Sequence, residues 1–119
     1  MHLERPELNY LVLTGTVRNK EEMKASSYGT FVIRFQLENL ISSEFESEAR
    51  TYVLAVEAWG RLAERIDRSI DNGSFVLLEG NLVSRKYEDR LKRTRYRMTV
   101  KASSITSLGR ETKDNRKDQ

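Results

Sequence analysis

Between Thr51 and Ser74 the chain changes periodicity twice, and few folds accommodate what results. Thr51 to Trp59 is β-branched, aromatic or small at most positions and alternates in character, as a half-buried strand does. Gly60 breaks it. From Arg61 the apolar residues Leu62, Ile66 and Ile70 recur every four positions, giving a short helix over 61–70 with one stripe facing a core. Arg61, Glu64, Arg65 and Arg68 face water. Asn72-Gly73 stops the helix, since these residues tolerate the left-handed conformation that closes one, and a strand begins after Ser74. Trp59, the only tryptophan, stands where strand becomes helix, either as a core anchor or as a contact.

The flanking sequence supplies more strands. Asn9 to Arg18 is rich in β-formers, and Gly15 inside it suggests a bulge or bend. Residues 19–28 read as a loop. Thr30 to Glu38 alternates cleanly, with Phe31, Ile33, Phe35 and Leu37 on one face and Thr30, Val32, Arg34 and Gln36 on the other; Phe31, Ile33 and Phe35 are the first expected core residues. Residues 39–50, rich in serine and glutamate, read as a long hairpin loop. Within it Phe45 either tucks back against its own domain or a neighbouring subunit, or serves as a loop-borne stacking residue.

Ser74 to Tyr87 is the fourth strand, with Val76, Leu78 and Leu82 on one face and Asn81, Val83, Arg85 and Tyr87 on the other, and Gly80 allowing curvature. After a charged turn at 88–92, Arg93 to Ser103 is the fifth. There Arg93, Arg95, Arg97 and Lys101 share a cationic face, while Tyr96, Met98, Val100 and Ala102 are expected in the core. Residues 1–8 read as a disordered lead-in, 9–108 as one domain and 109–119 as a disordered polar tail. A length of 119 residues suits one domain with a modest core. The expected class is all-β: a five-stranded barrel with one short helix between strands 3 and 4, the order of an OB-fold.

Residue content narrows the chemistry. There is no cysteine, and the single histidine, His2, lies in the lead-in, so thiol chemistry and histidine-based triads are excluded. The six glycines form no phosphate-cradling cluster, and no cofactor, metal site or catalytic residue is expected. No apolar run is long enough to span a bilayer, so no membrane contact and a cytoplasmic protein are expected. Net charge is +3, but Arg85 to Lys101 holds eight basic and two acidic residues, so the positive excess sits in one piece. Arginines on a strand face beside Arg85-Lys86-Tyr87 place phosphate-pairing cations next to an aromatic ring, a combination suited to unpaired nucleic-acid strands. The alternative is a solvated strand face that discourages edge-to-edge aggregation, with Tyr87 a half-buried strand residue.

Four segments, Asn9-Tyr-Leu-Val-Leu-Thr-Gly-Thr-Val17, Val56-Glu-Ala-Trp-Gly-Arg-Leu-Ala-Glu64, Gly73-Ser-Phe-Val-Leu-Leu-Glu-Gly-Asn-Leu82 and Arg85-Lys-Tyr87, resemble the bacterial single-stranded DNA-binding protein family, in order and in register over residues 9–108. The resemblance implies an OB-fold that wraps single-stranded DNA without sequence preference during replication, recombination and repair, usually as a homotetramer. It implies stacking by Trp59 and Tyr87, with Phe45 a rough counterpart of a further loop aromatic. It implies phosphate contacts at Arg61, Arg85 and Lys86, to which the sheet chemistry adds Arg34, Arg93, Arg95, Arg97 and Lys101.

Two departures stand out. Family members commonly carry a tryptophan where this chain has Val53. They also usually end in an acidic tip that recruits replication and repair proteins, whereas this sequence ends Arg116-Lys-Asp-Gln119; either residues follow Gln119 or this protein does not recruit partners that way. A dimeric primosomal replication-restart protein of the same lineage resembles the chain through its Leu-Val-Leu-x-Gly-Thr-Val start. A reading of another class is an OB-fold interaction module whose arginine face binds an acidic protein surface.

Overall fold

The computed structural model describes residues 5–41 and 50–110. Its elements are β1 (Leu11–Arg18), β2 (Lys24–Ala25), β3 (Phe31–Ile41), β4 (Arg50–Trp59), α1 (Arg61–Ser69), β5 (Ser74–Glu88) and β6 (Thr94–Arg110). The sheet order is β1-β5-β6-β4-β3-β2, and β1 also pairs with β3. That extra pairing closes β1, β5, β6, β4 and β3 into a five-stranded barrel, with β2 added as a two-residue edge and the one helix between β4 and β5. This is the OB-fold arrangement expected from the sequence.

Closure depends on β1 changing partners. It runs against β5 from Leu11 to Thr16 and against β3 from Thr16 to Arg18. Gly15 sits at the change: a Cβ there would lie 2.5 Å from the Glu38 carbonyl oxygen, so a side chain would force the two strands apart. At the other junction Gly60 turns the chain from β4 into α1 with φ 65°, a conformation that costs a glycine little.

The core is built from the inward face of every barrel strand, including Val17, Ile33, Phe35, Leu37, Val56, Val76, Leu78, Val100 and Ile105. The helix adds Ala63 and Ile66, and Ile70 follows just past its end, with Leu62 half-buried at the margin. Fully burying one such aliphatic side chain contributes about 1.5–3 kcal/mol, so the helical stripe alone is a substantial part of what holds α1 against the barrel.

Several expectations are corrected. Phe31 is exposed, because it lies at the barrel rim opposite Ala25 of the two-residue β2, where little covers it. Val32, assigned to the outer face, is buried, since its register neighbours are Lys24 on one side and Trp59 on the other. Tyr96 and Met98 are 67% and 57% exposed rather than core. β6 pairs with β4 only at Val100 and Lys101, so on the Thr94 side of Val100 the β5–β6 hairpin leaves the barrel and its inward face covers no other described element. Leu82, opposite Val100 where the hairpin departs, is partly exposed. β6 also runs to Arg110, past the expected end at Ser103 and into the stretch read as tail.

Candidate nucleic-acid interface

The outward face of β3, β4, β5 and β6 carries the polar side chains that the core excludes, and strand register fixes which of them meet. Arg34 on β3 stands opposite Glu57 on β4, and Glu57 in turn is level with Lys101 on β6, which faces Asn81 on β5. Further along the hairpin, Arg85 is opposite Arg97 and Tyr87 is opposite Arg95. Because directly paired residues share a side, Glu57, Trp59, Arg34, Lys101, Arg85, Arg97, Tyr87 and Arg95 line one surface. A groove of about 390 Å³ runs across it, lined by Arg34, Gln36, Glu57, Arg85, Arg97 and Thr99, and reaching Asn19, Glu21 and Lys86.

At the centre of this surface lies a carboxylate. Glu57 is 1% exposed, and its Oε1 accepts a hydrogen bond from Arg85 Nε at 2.9 Å while its Oε2 accepts from Arg85 Nη2. The same Oε2 accepts from the indole Nε1 of Trp59. Burial pushes the Glu57 carboxyl up, but the hydrogen bonds from Arg85 and Trp59 and the positive charges of Arg85 and Arg34 outweigh it and hold the group below the usual carboxylate range. The Arg85 guanidinium is raised in return by its hydrogen bond to Glu57.

The hairpin end is organised around a second carboxylate. Asp89 Oδ1 accepts from the backbone N–H groups of Leu91 and Arg93, at 2.8 and 3.0 Å, and so shapes the turn in which Lys92 takes φ 62°. Its Oδ2 accepts from Arg93 Nε at 3.0 Å and Arg95 Nε at 3.1 Å. The Arg93 backbone hydrogen bond does most to hold the Asp89 carboxyl below its usual value, aided by the side chains of Arg95 and Arg93 and the Leu91 N–H. Between the two carboxylates, the Arg97 guanidinium lies 5.0 Å from the centre of the Tyr87 ring, a cation–π pair on a ring that is 42% exposed.

The structure thus gathers Trp59, Tyr87, Arg34, Arg85, Arg95, Arg97 and Lys101 on one surface. Arg61 is the first, exposed residue of α1, two positions beyond Trp59. Arg93 belongs to the turn and is committed to Asp89. Lys86 lies on the other side of the hairpin, opposite Tyr96, yet is among the residues that border the groove. Phe45 lies outside the described residues. Sequence reasoning missed Glu57 and Asp89. A single carboxylate two positions before Trp59 in an otherwise apolar strand was the available signal for Glu57; for Asp89 it was an aspartate opening a tight, charged turn.

Among the described residues, no group of three or more His, Asp or Glu side chains is placed to hold a metal ion, and no helix is long and apolar enough to cross a membrane.

Known proteins match the chain along nearly all of this fold. The model of the single-strand binding protein family covers residues 8–108. Single-stranded DNA-binding protein 1 of Chlorobaculum tepidum is 31% identical over 85 residues, which are 69% of this chain and 52% of that protein. Single-stranded DNA-binding protein 2 of the same organism is 25% identical over 118 residues, 96% of this chain and 80% of that protein. The single-stranded DNA-binding protein of Thermus aquaticus is 29% identical over 98 residues, 82% of this chain but 37% of that protein. The chain therefore spans between about a third and four-fifths of the length of these relatives. With a barrel of this topology and a family match over residues 8–108, the chain belongs to the single-strand binding protein family.

Proposed function

We propose that this protein binds single-stranded DNA without sequence preference, as a binding protein rather than an enzyme, in replication, recombination and repair. The observation that carries the reading is the single sheet surface that presents Trp59, the Arg97-backed Tyr87 ring and a groove lined by Arg34, Arg85 and Arg97. Rings of this kind take the faces of unpaired bases, and Lys and Arg follow the phosphates without reading sequence. Among the described residues no helix is built to enter a duplex groove: α1 has nine residues and buries its apolar stripe against the barrel.

Trp59 and Tyr87 are the proposed stacking residues. Arg34, Arg61, Arg97 and Lys101 are the proposed phosphate contacts, while Arg85, Arg93 and Arg95 contribute from their carboxylate partners and Lys86 from the reverse side of the hairpin. We assign the assembly as a homotetramer, the usual state in the family; the exposed Val12 of β1 and Tyr10 just before that strand offer apolar surface for subunit contact.

The test is a fluorescence titration of Trp59 with oligonucleotides, read beside light scattering for subunit number. Stacking should quench the tryptophan on adding a single strand, and Tyr87→Ala should lower affinity by roughly 1–3 kcal/mol with little change in melting temperature. A large fall in melting temperature would make Tyr87 a packing residue, and an unquenched tryptophan would remove Trp59 from the site.

A further inference from the structure

A carboxylate occupies the middle of a surface proposed to hold a polyanion, and no solvent-exposed role accounts for it. Glu57 is buried, and the charged side chains that face it across the sheet are cations: Arg34 from β3, Lys101 from β6 and Arg85 from β5. The helix that follows β4 contributes Arg61, again a cation. Glu57 takes the Nε and Nη2 donors of Arg85, the bidentate fork with which arginine otherwise grips a phosphate, and through the same Oε2 it fixes the indole of Trp59. One side chain therefore restrains both a stacking ring and a cation, and cancels the charge of that cation.

Building on the single-strand reading above, we propose that Glu57 is a specificity-determining positioning residue: by filling the Arg85 fork and anchoring Trp59, it makes the groove favour ligands whose bases stack over polyanions that offer charge alone. The mechanism is a balance of terms. With Arg85 neutralised from within, the centre of the groove gives little counterion release when a polyanion arrives, so a chain of bare phosphates gains only from the outlying cations. A single strand gains the same plus base stacking on a ring held in place before it binds.

The experiment measures binding of a labelled oligothymidylate by anisotropy over a range of salt, with inorganic polyphosphate as competitor, for the wild type, Glu57→Gln, Glu57→Asp and the double variant Glu57→Gln/Arg85→Gln. Glu57→Gln keeps the shape and one acceptor but frees the Arg85 charge. Its plot of log affinity against log salt should steepen by about 0.7, the value for one further phosphate neutralised on a single strand. Polyphosphate should then displace the oligonucleotide at several-fold lower concentration than from the wild type.

The double variant should return to the wild-type slope. Glu57→Asp, which keeps the charge but shortens the reach, should leave the slope alone and reduce the tryptophan quench. Parallel slopes for wild type and Glu57→Gln, with unchanged competition, would overturn the proposal. So would a wild type from which polyphosphate displaces oligothymidylate as readily as a second single strand of equal charge does, a result that needs no variant to fold. A wild type that binds no oligothymidylate at low salt would instead sink the single-strand reading itself, and this proposal with it.

Discussion

Two carboxylates on one surface do the same chemical work in opposite surroundings. Glu57, at the barrel centre, is buried and holds Arg85 and Trp59; Asp89, at the hairpin end, holds Arg93, Arg95 and two backbone N–H groups. Each is held below the usual carboxylate range by its partners. What differs is the alternative available when a partner is lost. Water can solvate Asp89 at the exposed turn, where ion pairs are screened and worth little. Glu57 has no such recourse, because strands β3 and β6 flank it and its side chain is 2% exposed. The centre of the surface is thus set by desolvation and the end by turn geometry.

Arg85→Ala tests this contrast most severely. It leaves the Glu57 carboxylate buried with only the indole hydrogen bond and its cationic neighbours. Breaking a fully buried pair costs roughly 3–5 kcal/mol; since half of the Arg85 side chain is exposed already, the expected loss here is nearer 2–3 kcal/mol. Chemical denaturation at neutral pH measures it, and a change within error would place Glu57 in effective contact with water. Arg85→Ala/Glu57→Ala should be less damaging than Arg85→Ala alone.

Acid should separate the sites next. A carboxylate whose folded value lies below its unfolded one contributes stability that is complete above the unfolded value and is lost as pH falls through the folded one. Glu57 therefore contributes fully at neutral pH, and that contribution disappears only on the acid side of the ordinary glutamate range. Melting temperatures of wild type and Glu57→Gln should differ at pH 7 and converge as the pH drops below about 4. A gap that stays constant with pH would mean that charge is not what Glu57 contributes.

The smallest stability effect belongs to Asp89→Asn. The turn keeps an oxygen for the Leu91 and Arg93 N–H groups, so the melting temperature should hardly move. Its effect should appear in binding: with Arg93 and Arg95 released, single-strand affinity should depend more steeply on salt. An unchanged slope would take these two arginines out of the interface.

How far the residues announced this arrangement follows from which interactions are local. The helix after Gly60 and the alternation of β3 from Ile33 onward were legible because each depends on neighbours within a turn or a pleat, whereas the helix ends at Ser69 with an extended Ile70 cap, and the left-handed Gly73 belongs to the turn into β5 rather than to the helix end. Alternation told which residues of β6 share a face, yet it could not say where the barrel ends. Tyr96 and Met98 carry the pattern of a core strand but stand exposed on a hairpin that has left the barrel. The same limit applies to Val32, which is buried where β3 lies between Lys24 of β2 and Trp59 of β4.

For the interface, Trp59, Tyr87 and the arginine row were legible as residue types at a spacing. That Arg85 is already committed was not, since its partner lies 28 residues earlier and only the barrel's register brings them together. By contrast the Asp89 network, with partners two to six residues away, was in reach of a local reading.

The most direct test of the whole account is an anisotropy titration of a long oligothymidylate and of a duplex of equal length, at two salt concentrations. The arrangement of Trp59, Tyr87 and the groove cations predicts tight binding of the single strand that weakens with salt, and little binding of the duplex. Equal affinity for both, or no binding to either at low salt, would contradict it.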